Sequence, residues 1–458
     1  MGVPAFSVVI VRSVIHVIGG GLAGPEAAMQ AARSGHPVRL YEMRPARPTP
    51  AHQTNNLGEL VCSNSLKTET PYSAPWLLKE ELRRMGSLCL NVADRVRVPG
   101  GHALAVDREA FAEAVTASIE QEALIEVVRD EVTEIPLDDI VVVASGPLTS
   151  DALAASIVRL TGRERLFFFD AISPIVDAET INREVVFQAS RYGKSVNDGG
   201  DYLNCPFTRE QYERFYMALT EAQQHRGHDF DNPNYFEGCL PIEEIARRGV
   251  DTLRFGPMKP VGLRDPRTGE SFYAVVQLRQ EDMRADSYNL VGFQNHLKYG
   301  EQKRILRLIP GLERAEFLRY GQIHRNTYIN APALLTGSLH LRSHPNIFFA
   351  GQLSGVEGYV ESIATGLMAG RNATRLADGA DPLTWPRPTA HGSLAAYISG
   401  ANPDNYQPAN ITFDLLPPLP PEEASRHRLD KKARRRRQCQ RGLEELSCFL
   451  EAHAPVAS

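Results

Sequence analysis

The N-terminal part of this chain holds the pattern that most constrains its fold. An apolar run, Val14–Ile18, leads directly into a glycine-rich turn. The residues of this turn are Gly19, Gly20, Gly21, Leu22, Ala23 and Gly24, which have the G-x-G-x-x-G spacing. A helical stretch from Pro25 to Ser34 follows, and then a second apolar run that ends in Glu42. Strand, glycine turn, helix, strand and acidic residue in this order are typical of a β-α-β unit that binds a dinucleotide.

The three spaced glycines of the turn have different physical tasks. Gly19 permits the tight turn, Gly21 lets a pyrophosphate approach the backbone, and Gly24 lets helix and strand pack closely. The start of the helix offers free N–H groups and the positive end of its dipole to phosphates. Glu42 follows Gly24 by eighteen residues and is placed to accept a hydrogen bond from a ribose hydroxyl. We therefore predict that residues 19–24 and Glu42 bind a cofactor.

The alternation of strands and helices predicts the architecture. Residues 140–144 form a continuous apolar run, and a similar run returns at 347–350 after a long stretch of mixed short elements. Strands that alternate with helices indicate a doubly wound parallel sheet. We predict an α/β protein in which a doubly wound, Rossmann-like dinucleotide-binding domain carries an inserted, smaller α+β domain. The expected bounds are 13–171 and 321–400 for the binding domain, 172–320 for the inserted domain, which we expect to bind the substrate or RNA, and 401–458 for a C-terminal segment with a basic helix.

The returning strand indicates which dinucleotide binds. Gly351 and Gln352 follow this strand directly, and Gly358 and Tyr359 precede the next predicted helix. Extended FAD requires such a second contact, in which the helix dipole stabilises the negative charge of the reduced flavin. An NAD enzyme does not need this contact, so FAD is favoured. Tyr359 is predicted to stack on the isoalloxazine ring.

The six cysteines include no C-x-x-C pair, which argues against zinc ligation and a disulfide framework; we expect no metal. Cys62 and Cys239 lie in polar, glycine-containing segments that read as turns. A thiolate in such a setting is a competent nucleophile if its pKa is lowered. We expect no catalytic role for the other four, Cys89, Cys205, Cys439 and Cys448.

A basic run near the C-terminus contrasts with the formal net charge of −5. Residues 426–441 hold nine Lys or Arg residues and one Asp. Within this run Arg434, Arg435, Arg436 and Arg437 point in all directions around a helix, so no single packing face accounts for them. A solvated helix face and a contact with a polyanion such as RNA both remain open.

Composition excludes several classes of protein. The hydrophobic content of 43% is that of a soluble globular chain. No apolar run reaches the length of a transmembrane helix, and the N-terminal residues lack the basic region of a signal peptide. We therefore expect a cytoplasmic protein with no membrane partner.

Several segments, taken together, resemble a known family. The resemblance covers the chain from about Val14 to the basic run, and it is specific because the motifs between the flavin segments are not general flavoprotein motifs. These segments are similar to those of the folate- and FAD-dependent tRNA uracil-5-methyltransferases. They comprise residues 19–28, 60–66, 236–241, 254–263, 351–359 and 407–413.

The resemblance implies a reaction and its partners. 5,10-Methylenetetrahydrofolate would donate a one-carbon unit, NADH or NADPH would reduce FAD, and C5 of the T-loop uridine of tRNA would become methylated. Cys239 is then the candidate that adds to C6 of uracil. Cys62 is the candidate partner that removes the C5 proton or guards the flavin-bound one-carbon unit, although the two roles can be exchanged. The partners implied are tRNA and folate, with no obligate protein partner.

Three alternatives stay open on the sequence. The first is an FAD-dependent oxidoreductase of a small metabolite, and the second is a related flavoprotein that modifies the wobble uridine of tRNA. The third is a flavin-binding RNA-interaction protein without catalysis. The folate pocket is not identified, because His324, Arg325 and Asn326 fit a structural turn as well as a folate contact.

Overall fold

The structure is a computed structural model that describes residues 13–162, 166–193, 200–224, 240–420 and 430–453, with the backbone alone for 166–171 and 323–325. Cys239 lies outside the described residues. In chain order the strands are β1 (Ile15–Ile18), β2 (Val38–Tyr41), β3 (Ser65–Thr68), β4 (Arg97–Val98), β5 (Ala103–Val106), β6 (Ile125–Val128), β7 (Ile140–Val143), β8 (Leu166–Ala171), β9 (Ile175–Asp177), β10 (Phe187–Ala189), β11 (Tyr202–Phe207), β12 (Ala274–Gln280), β13 (Ser287–Leu290), β14 (Phe317–Arg319), β15 (Ile323–Tyr328) and β16 (Ile347–Phe349).

The helices of the described residues have the following bounds. They are α1 (Ala23–Arg33), α2 (Ala74–Arg84), α3 (Leu88–Arg95), α4 (Arg108–Glu120), α5 (Asp151–Thr161), α6 (Arg209–Thr220), α7 (Ile242–Arg247), α8 (Thr252–Phe255), α9 (Tyr299–Leu306), α10 (Ala331–Leu334), α11 (Tyr359–Ala377), α12 (Ala390–Gly400) and α13 (Lys431–Ala452).

A five-stranded parallel sheet organises the first core. Its strand order is β16-β7-β1-β2-β6, and every pairing is parallel. The apolar residues of the three central strands are buried, except for the partly buried Ile140, as in a sheet covered on both faces. The chain runs from β1 to β2 on one side and later places β7 on the other side. In sheets of this kind the crevice at the carboxyl ends of the strands on either side of such a reversal binds ligands.

Helices α1 and α11 pack against each other more closely than ordinary side chains allow. A Cβ atom on Gly366 would lie 2.3 Å from the carbonyl oxygen of Ala23, and one on Gly370 would lie 2.5 Å from that of Ala27. A Cβ on Gly24 would lie only 1.7 Å from the carbonyl oxygen of Gly19. Gly366 and Gly370 let α11 lie directly against the backbone of α1, and Gly24 lets α1 lie directly against the end of β1. The N-termini of both helices therefore lie at the same crevice.

A second core is built on an antiparallel sheet with the order β10-β11-β12-β13-β9-β14. Phe207, Tyr212, Phe215 and Phe293 are fully buried in it. The chain enters this part through β8 and leaves it through β15, and these two strands pair antiparallel. The predicted fold class, a doubly wound α/β sheet with an inserted α+β unit, is confirmed.

Several local predictions need correction. The alternation of residues 125–135 predicts a strand over that range, but β6 ends at Val128. The small residues of 363–376 predict a helix that begins at Ile363, whereas α11 begins at Tyr359. The polar, Asn-rich stretch from Thr49 to Tyr72 predicts a loop, but it contains β3, which pairs with β5. The short pattern Ser65–Thr68 does not alternate strongly, and the pairing with β5 supplies the backbone partners that make it a strand.

Glu243 of α7 gives the second core a pH-dependent stability. Burial raises the pKa of this carboxyl to about 7, and its Oε1 accepts a hydrogen bond from the backbone N–H of His296 at 2.7 Å. In the unfolded chain a Glu titrates at about 4.3, so the folded state binds the proton more tightly. The resulting stabilisation is complete below the unfolded pKa and is lost as the pH rises through about 7.

The Glu243→Gln variant is therefore expected to lose this pH dependence. Between about pH 5 and about pH 8 its free energy of unfolding should fall by ~2 kcal/mol less than that of the unsubstituted protein. Urea denaturation at the two pH values measures the difference. Glu244→Gln, at the neighbouring and more exposed position, is the matched control, and equal slopes for all three proteins would contradict the assignment.

Candidate active site

A cleft with about 990 Å³ of empty space opens at the carboxyl ends of β1 and β7. The N-terminal residues of α1 and α11 both line it, so free N–H groups and the positive ends of two helix dipoles meet there. The predicted residues that line this cleft are Gly19, Gly20, Gly21, Leu22, Ala23, Glu42, Gly351, Gln352 and Tyr359. Gly24 and Gly358 lie behind the lining.

The glycine turn leaves room for a ligand at one position. Gly19 has a φ of +115°, and a Cβ on it would lie 2.4 Å from the carbonyl oxygen of Ala144 at the end of β7. Around Gly21, by contrast, no protein atom lies within 4 Å of the Cβ position. A side chain at Gly21 would therefore extend into the cleft, where a pyrophosphate would approach the backbone.

Glu42 lines the cleft, and its carboxylate is held in place by hydrogen bonds from neighbouring residues. Its Oε2 accepts the Gly20 N–H at 3.0 Å, and its Oε1 accepts the backbone N–H and the Nε–H of Arg44, both at 2.9 Å. Burial would raise the pKa of Glu42, but the hydrogen bonds and charge of Arg44 outweigh burial and hold this pKa below its ordinary value. Oε1 uses both of its lone pairs on Arg44, whereas Oε2 keeps one beside the Gly20 N–H, so the ionised carboxylate can still accept a ribose hydroxyl at Oε2.

The far end of the cleft is held by polar contacts beneath it. Gly351 has a φ of +70°, and its N–H is donated to Thr365 Oγ1 at 2.8 Å. Gln352 Nε2 donates to Glu357 Oε2 at 2.6 Å. Gly358, with a φ of +112°, precedes α11, and a Cβ on it would lie 2.5 Å from Glu361 Oε2. The positive φ strains any residue with a Cβ here, which favours glycine at this turn.

Tyr359 joins the cleft to the segment that contains Cys62. Its hydroxyl oxygen accepts the backbone N–H of Cys62 at 2.7 Å and that of Ser63 at 3.1 Å. Burial raises the pKa of Tyr359 well above its ordinary range, so the phenol stays neutral. Val61 lines the cleft beside Tyr359, and Cys62 is partly exposed. The stacking of Tyr359 on a flavin ring stays a prediction.

Asn64 is a part of this site that the sequence did not indicate. Its side chain is fully buried, and it uses all of its hydrogen-bonding capacity. Its Nδ2 donates to the carbonyl oxygens of Val106 and Gln280, and its Oδ1 accepts from Arg279 and Asn289 at 2.8 and 3.2 Å. The segment around Cys62 is thus fastened to β12 and β13 of the second core. A single Asn in a polar stretch carries no sequence signal for this role.

Three of the other thiols are buried, and burial raises the pKa of each. For Cys439 it raises the pKa to about 12, and for Cys89 and Cys205 it raises it further. These thiols therefore remain protonated at neutral pH and act as small apolar side chains. Cys448 is exposed on α13. Cys239 lies outside the described residues, so its place relative to Cys62 stays a prediction.

The four consecutive arginines lie on the first turns of α13, away from the lining of the cleft. Arg434, Arg435 and Arg436 are exposed, and Arg437 pairs with Glu444 at 3.0 Å. The guanidinium of Arg435 lies 4.8 Å from the centre of the Phe413 ring, and that of Arg436 lies 5.2 Å from the centre of the Tyr72 ring.

For the suggested folate residues the structure gives little support. Asn326 is buried, with a side-chain oxygen that has no hydrogen-bond partner within the described structure. The side chains of His324 and Arg325 lie outside the description. The folate contacts therefore remain unassigned.

Comparison with known proteins gives the family. A family model described as "GIDA: Glucose inhibited division protein A" matches residues 14–381. The methylenetetrahydrofolate–tRNA-(uracil-5-)-methyltransferase TrmFO of Solibacter usitatus (strain Ellin6076) is 65% identical over 96% of this chain and 99% of its own length. The chain belongs to the TrmFO family. The TrmFO of Koribacter versatilis (strain Ellin345) is 62% identical over 95% of this chain and 98% of its own.

A solved structure supports the fold. The GidA structure of Aquifex aeolicus superposes with a TM-score of 0.67 at 17% identity, covering 96% of this chain and 76% of that one. At this identity the likeness shows the fold alone. Among the described residues of this TrmFO family member, no helix combines the length and the apolar composition that crossing a bilayer requires.

The cleft of this chain fits FAD, the cofactor expected from its motifs. The open space at Gly21 would give a pyrophosphate access to the backbone, and Glu42, the residue predicted to bind the ribose, lines the same cleft. The N-terminus of α11, at the opposite end, suits the negative charge that a flavin gains on reduction.

Proposed function

We propose that this chain transfers a one-carbon unit from 5,10-methylenetetrahydrofolate to C5 of the T-loop uridine of tRNA, giving 5-methyluridine. FAD is the resident cofactor, NADH or NADPH is the reductant, and the cytoplasm is the place of action. The observation that carries this proposal is the 65% identity to a TrmFO enzyme over nearly the whole length of both chains. The cleft with two helix N-termini supports it independently, because it fits FAD.

The residues that would hold FAD follow from the cleft. The turn 19–24 and the start of α1 would bind the pyrophosphate, Glu42 the ribose, and Gly351, Gln352 and the start of α11 the flavin end. Gly24 and Gly358 would act indirectly. A Cβ at Gly24 would displace the Gly19 backbone, and a Cβ at Gly358 would displace the side chains of Glu361 and Lys67. FAD supplies the redox chemistry that turns the donated carbon into a methyl group.

Cys62 and Cys239 would supply the nucleophile and the proton acceptor that methylation of uracil at C5 requires. C5 of uracil is a weak nucleophile until a thiolate adds to C6 and shifts the electron pair of the C5–C6 double bond towards the ring carbonyl. Once C5 has gained the one-carbon unit, its proton must leave, and the released electron pair then expels the thiolate from C6. We assign the first task to Cys239 and the proton removal to Cys62. The uridine lies in a folded loop and would have to turn outwards to reach these groups.

The alternatives explain fewer observations. An oxidoreductase of a small metabolite would need the cleft but neither turn cysteine nor basic helix. An enzyme that modifies the wobble uridine, or a non-catalytic flavin-binding RNA protein, would each have the same kind of FAD-binding domain. TrmFO sequences at 52–65% identity align over 97–99% of their own lengths, which favours the methyltransferase.

Nucleoside mass spectrometry tests the activity directly. Unmodified tRNA is incubated with the purified protein, methylenetetrahydrofolate and NADH or NADPH, and then digested. A new 5-methyluridine in the T-loop that requires the folate is the expected result. A protein that is yellow with FAD but forms no methylated nucleoside would leave the fold intact and favour the oxidoreductase or the binding protein.

We also infer that Arg434, Arg435, Arg436 and Arg437 contact tRNA. Three of these guanidiniums are exposed, and the contacts of Arg435 and Arg436 with aromatic rings hold their side chains at the surface. Replacing all four by Gln is expected to weaken tRNA binding at least about tenfold. It should also reduce the slope of log affinity against log salt concentration, because each phosphate contact releases counterions.

Binding titrations at several salt concentrations measure both effects. The matched control replaces four exposed arginines outside residues 172–320, the part of the chain that contains Cys239, and so removes the same charge elsewhere. They are Arg39, Arg97, Arg159 and Arg342. Equal affinities and slopes for the two variants would show that the basic run is a solvated helix face and does not contact tRNA.

A further inference from the structure

The segment around Cys62 is held by an arginine that no motif singles out. Arg108 is the first residue of α4, and its Nη1 donates to the carbonyl oxygens of Leu60 and, at 3.3 Å, of Val61. These are the two residues directly before Cys62. The Nε and Nη2 atoms of Arg108 each lie 3.0 Å from Glu281 Oε2, just beyond β12.

Helix α4 is itself fixed against the second core, so Arg108 has a defined position. Asp107 caps α4 by accepting the Ala110 N–H at 2.9 Å, and its other oxygen accepts the Met283 N–H at 3.0 Å. The guanidinium of Arg108 thus connects the Cys62 segment, the start of α4 and the end of β12 at one point.

The charges that face Cys62 come from several elements. Arg108 of α4 bonds the carbonyls of Leu60 and Val61, and Arg279 of β12 bonds Asn64 Oδ1 at 2.8 Å, so both guanidiniums lie against the segment around Cys62. Arg319 of β14 brings a third positive charge to the same cluster. Glu281 opposes them, and it pairs with Arg108. Two further groups lie in the same cluster. These are Glu59, which pairs with Arg44, and the neutral phenol of Tyr359.

We propose that Arg108 is a positioning residue that holds the Cys62 segment beside the cleft and stabilises the thiolate form of Cys62. Arg108, Arg279 and Arg319 outnumber Glu281, and Glu59 is already paired with Arg44, so the cluster keeps an excess of positive charge. A nearby positive charge favours a thiolate over a thiol. This inference rests on the proposed function, in which Cys62 must accept a proton from C5. Its test below measures the thiol itself and does not depend on methyl transfer.

The test follows the alkylation of Cys62 by iodoacetamide in the full-length, FAD-loaded protein, by mass spectrometry of the peptide that contains it. Only the thiolate reacts, so the rate against pH gives the pH of half-maximal reaction. In Arg108→Gln this midpoint is expected to rise by about one pH unit. In Arg108→Lys, which keeps the charge but not the planar fork, most of that rise should be absent.

Two further variants separate charge from structure. Glu281→Gln removes the opposing carboxylate and should move the midpoint down, so it tests the charge effect even if Arg108→Gln does not fold. Asn64→Ala loosens the same segment without removing a charge and should raise the reaction rate at every pH with little change of midpoint. An unchanged midpoint in both charge variants, or equal shifts in Arg108→Gln and Asn64→Ala, would overturn the proposal.

The outcome is separable from that of the proposed function. Shifted midpoints in a protein that forms no 5-methyluridine would keep the role of Arg108 and reject the methyltransferase. Methylation with unshifted midpoints would keep the methyltransferase function and reject the role of Arg108.

Discussion

The Gly21→Val variant is expected to lose FAD while its fold remains. The Cβ position of Gly21 faces open cleft with no protein atom within 4 Å, so the added side chain disturbs no packing. The same side chain fills the place where the pyrophosphate approaches the backbone. We expect the affinity for FAD to fall at least about 100-fold, or ~2.7 kcal/mol. Flavin absorbance after gel filtration and titration with FAD measure this loss.

A matched control separates the cofactor effect from a general effect of valine. Gly300, near the start of α9, also has no neighbour within 4 Å of its Cβ position, and it lies outside the cleft. Gly300→Val should retain FAD and melt at nearly the same temperature as Gly21→Val in its flavin-free form. Full flavin content in Gly21→Val would show that the pyrophosphate does not bind at this turn.

Removal of either Cys62 or Cys239 is expected to abolish methylation with FAD still bound. Loss of a covalent nucleophile costs at least about 1,000-fold in kcat, which is the effect expected of Cys239→Ala. Loss of a proton acceptor costs about 100- to 10,000-fold, which is the effect expected of Cys62→Ala. The rate of 5-methyluridine formation and the flavin spectrum are measured for both variants. Cys448→Ala, on the exposed face of α13, is the control and should keep full activity.

A substrate with fluorine at C5 of the target uridine distinguishes the two thiols. Fluorine cannot leave C5 as a proton does, so the bond between the nucleophilic sulfur and C6 persists and joins protein to RNA. Cys62→Ala should still form this adduct, and Cys239→Ala should not. The reverse result would exchange the two roles, and full activity of Cys239→Ala would reject a covalent role for that residue.

The local chemistry of the cofactor cleft could be predicted from the sequence because it depends on neighbours along the chain. The turn 19–24 needs glycines at fixed spacing, and the strand and helix on either side are set by apolar periodicity. Gly351 and Tyr359 follow a recognisable strand in the same way. The predicted lining residues therefore meet in one cleft, although more than 300 residues separate its two ends.

The surroundings of Cys62 could not be predicted, because they depend on contacts between distant parts of the chain. Asn64 finds its partners on β5, β12 and β13, and Tyr359 reaches the Cys62 backbone across nearly 300 positions. A buried Asn and an Arg at a helix start look ordinary in a sequence. Their importance arises only from the groups that the fold places opposite them.

The sequence by itself determined the doubly wound sheet, the glycine turn at the cleft, the second segment that lines the cleft and the motifs by which the family is recognised. Each of these depends on short-range spacing, which the chain carries in its linear order. Only the tertiary structure decided that Glu42 is bonded to Arg44 and that Arg108 and Arg279 bond the residues on either side of Cys62. Electrostatic interaction depends on distance in space and on burial, and neither quantity is written in the order of the residues.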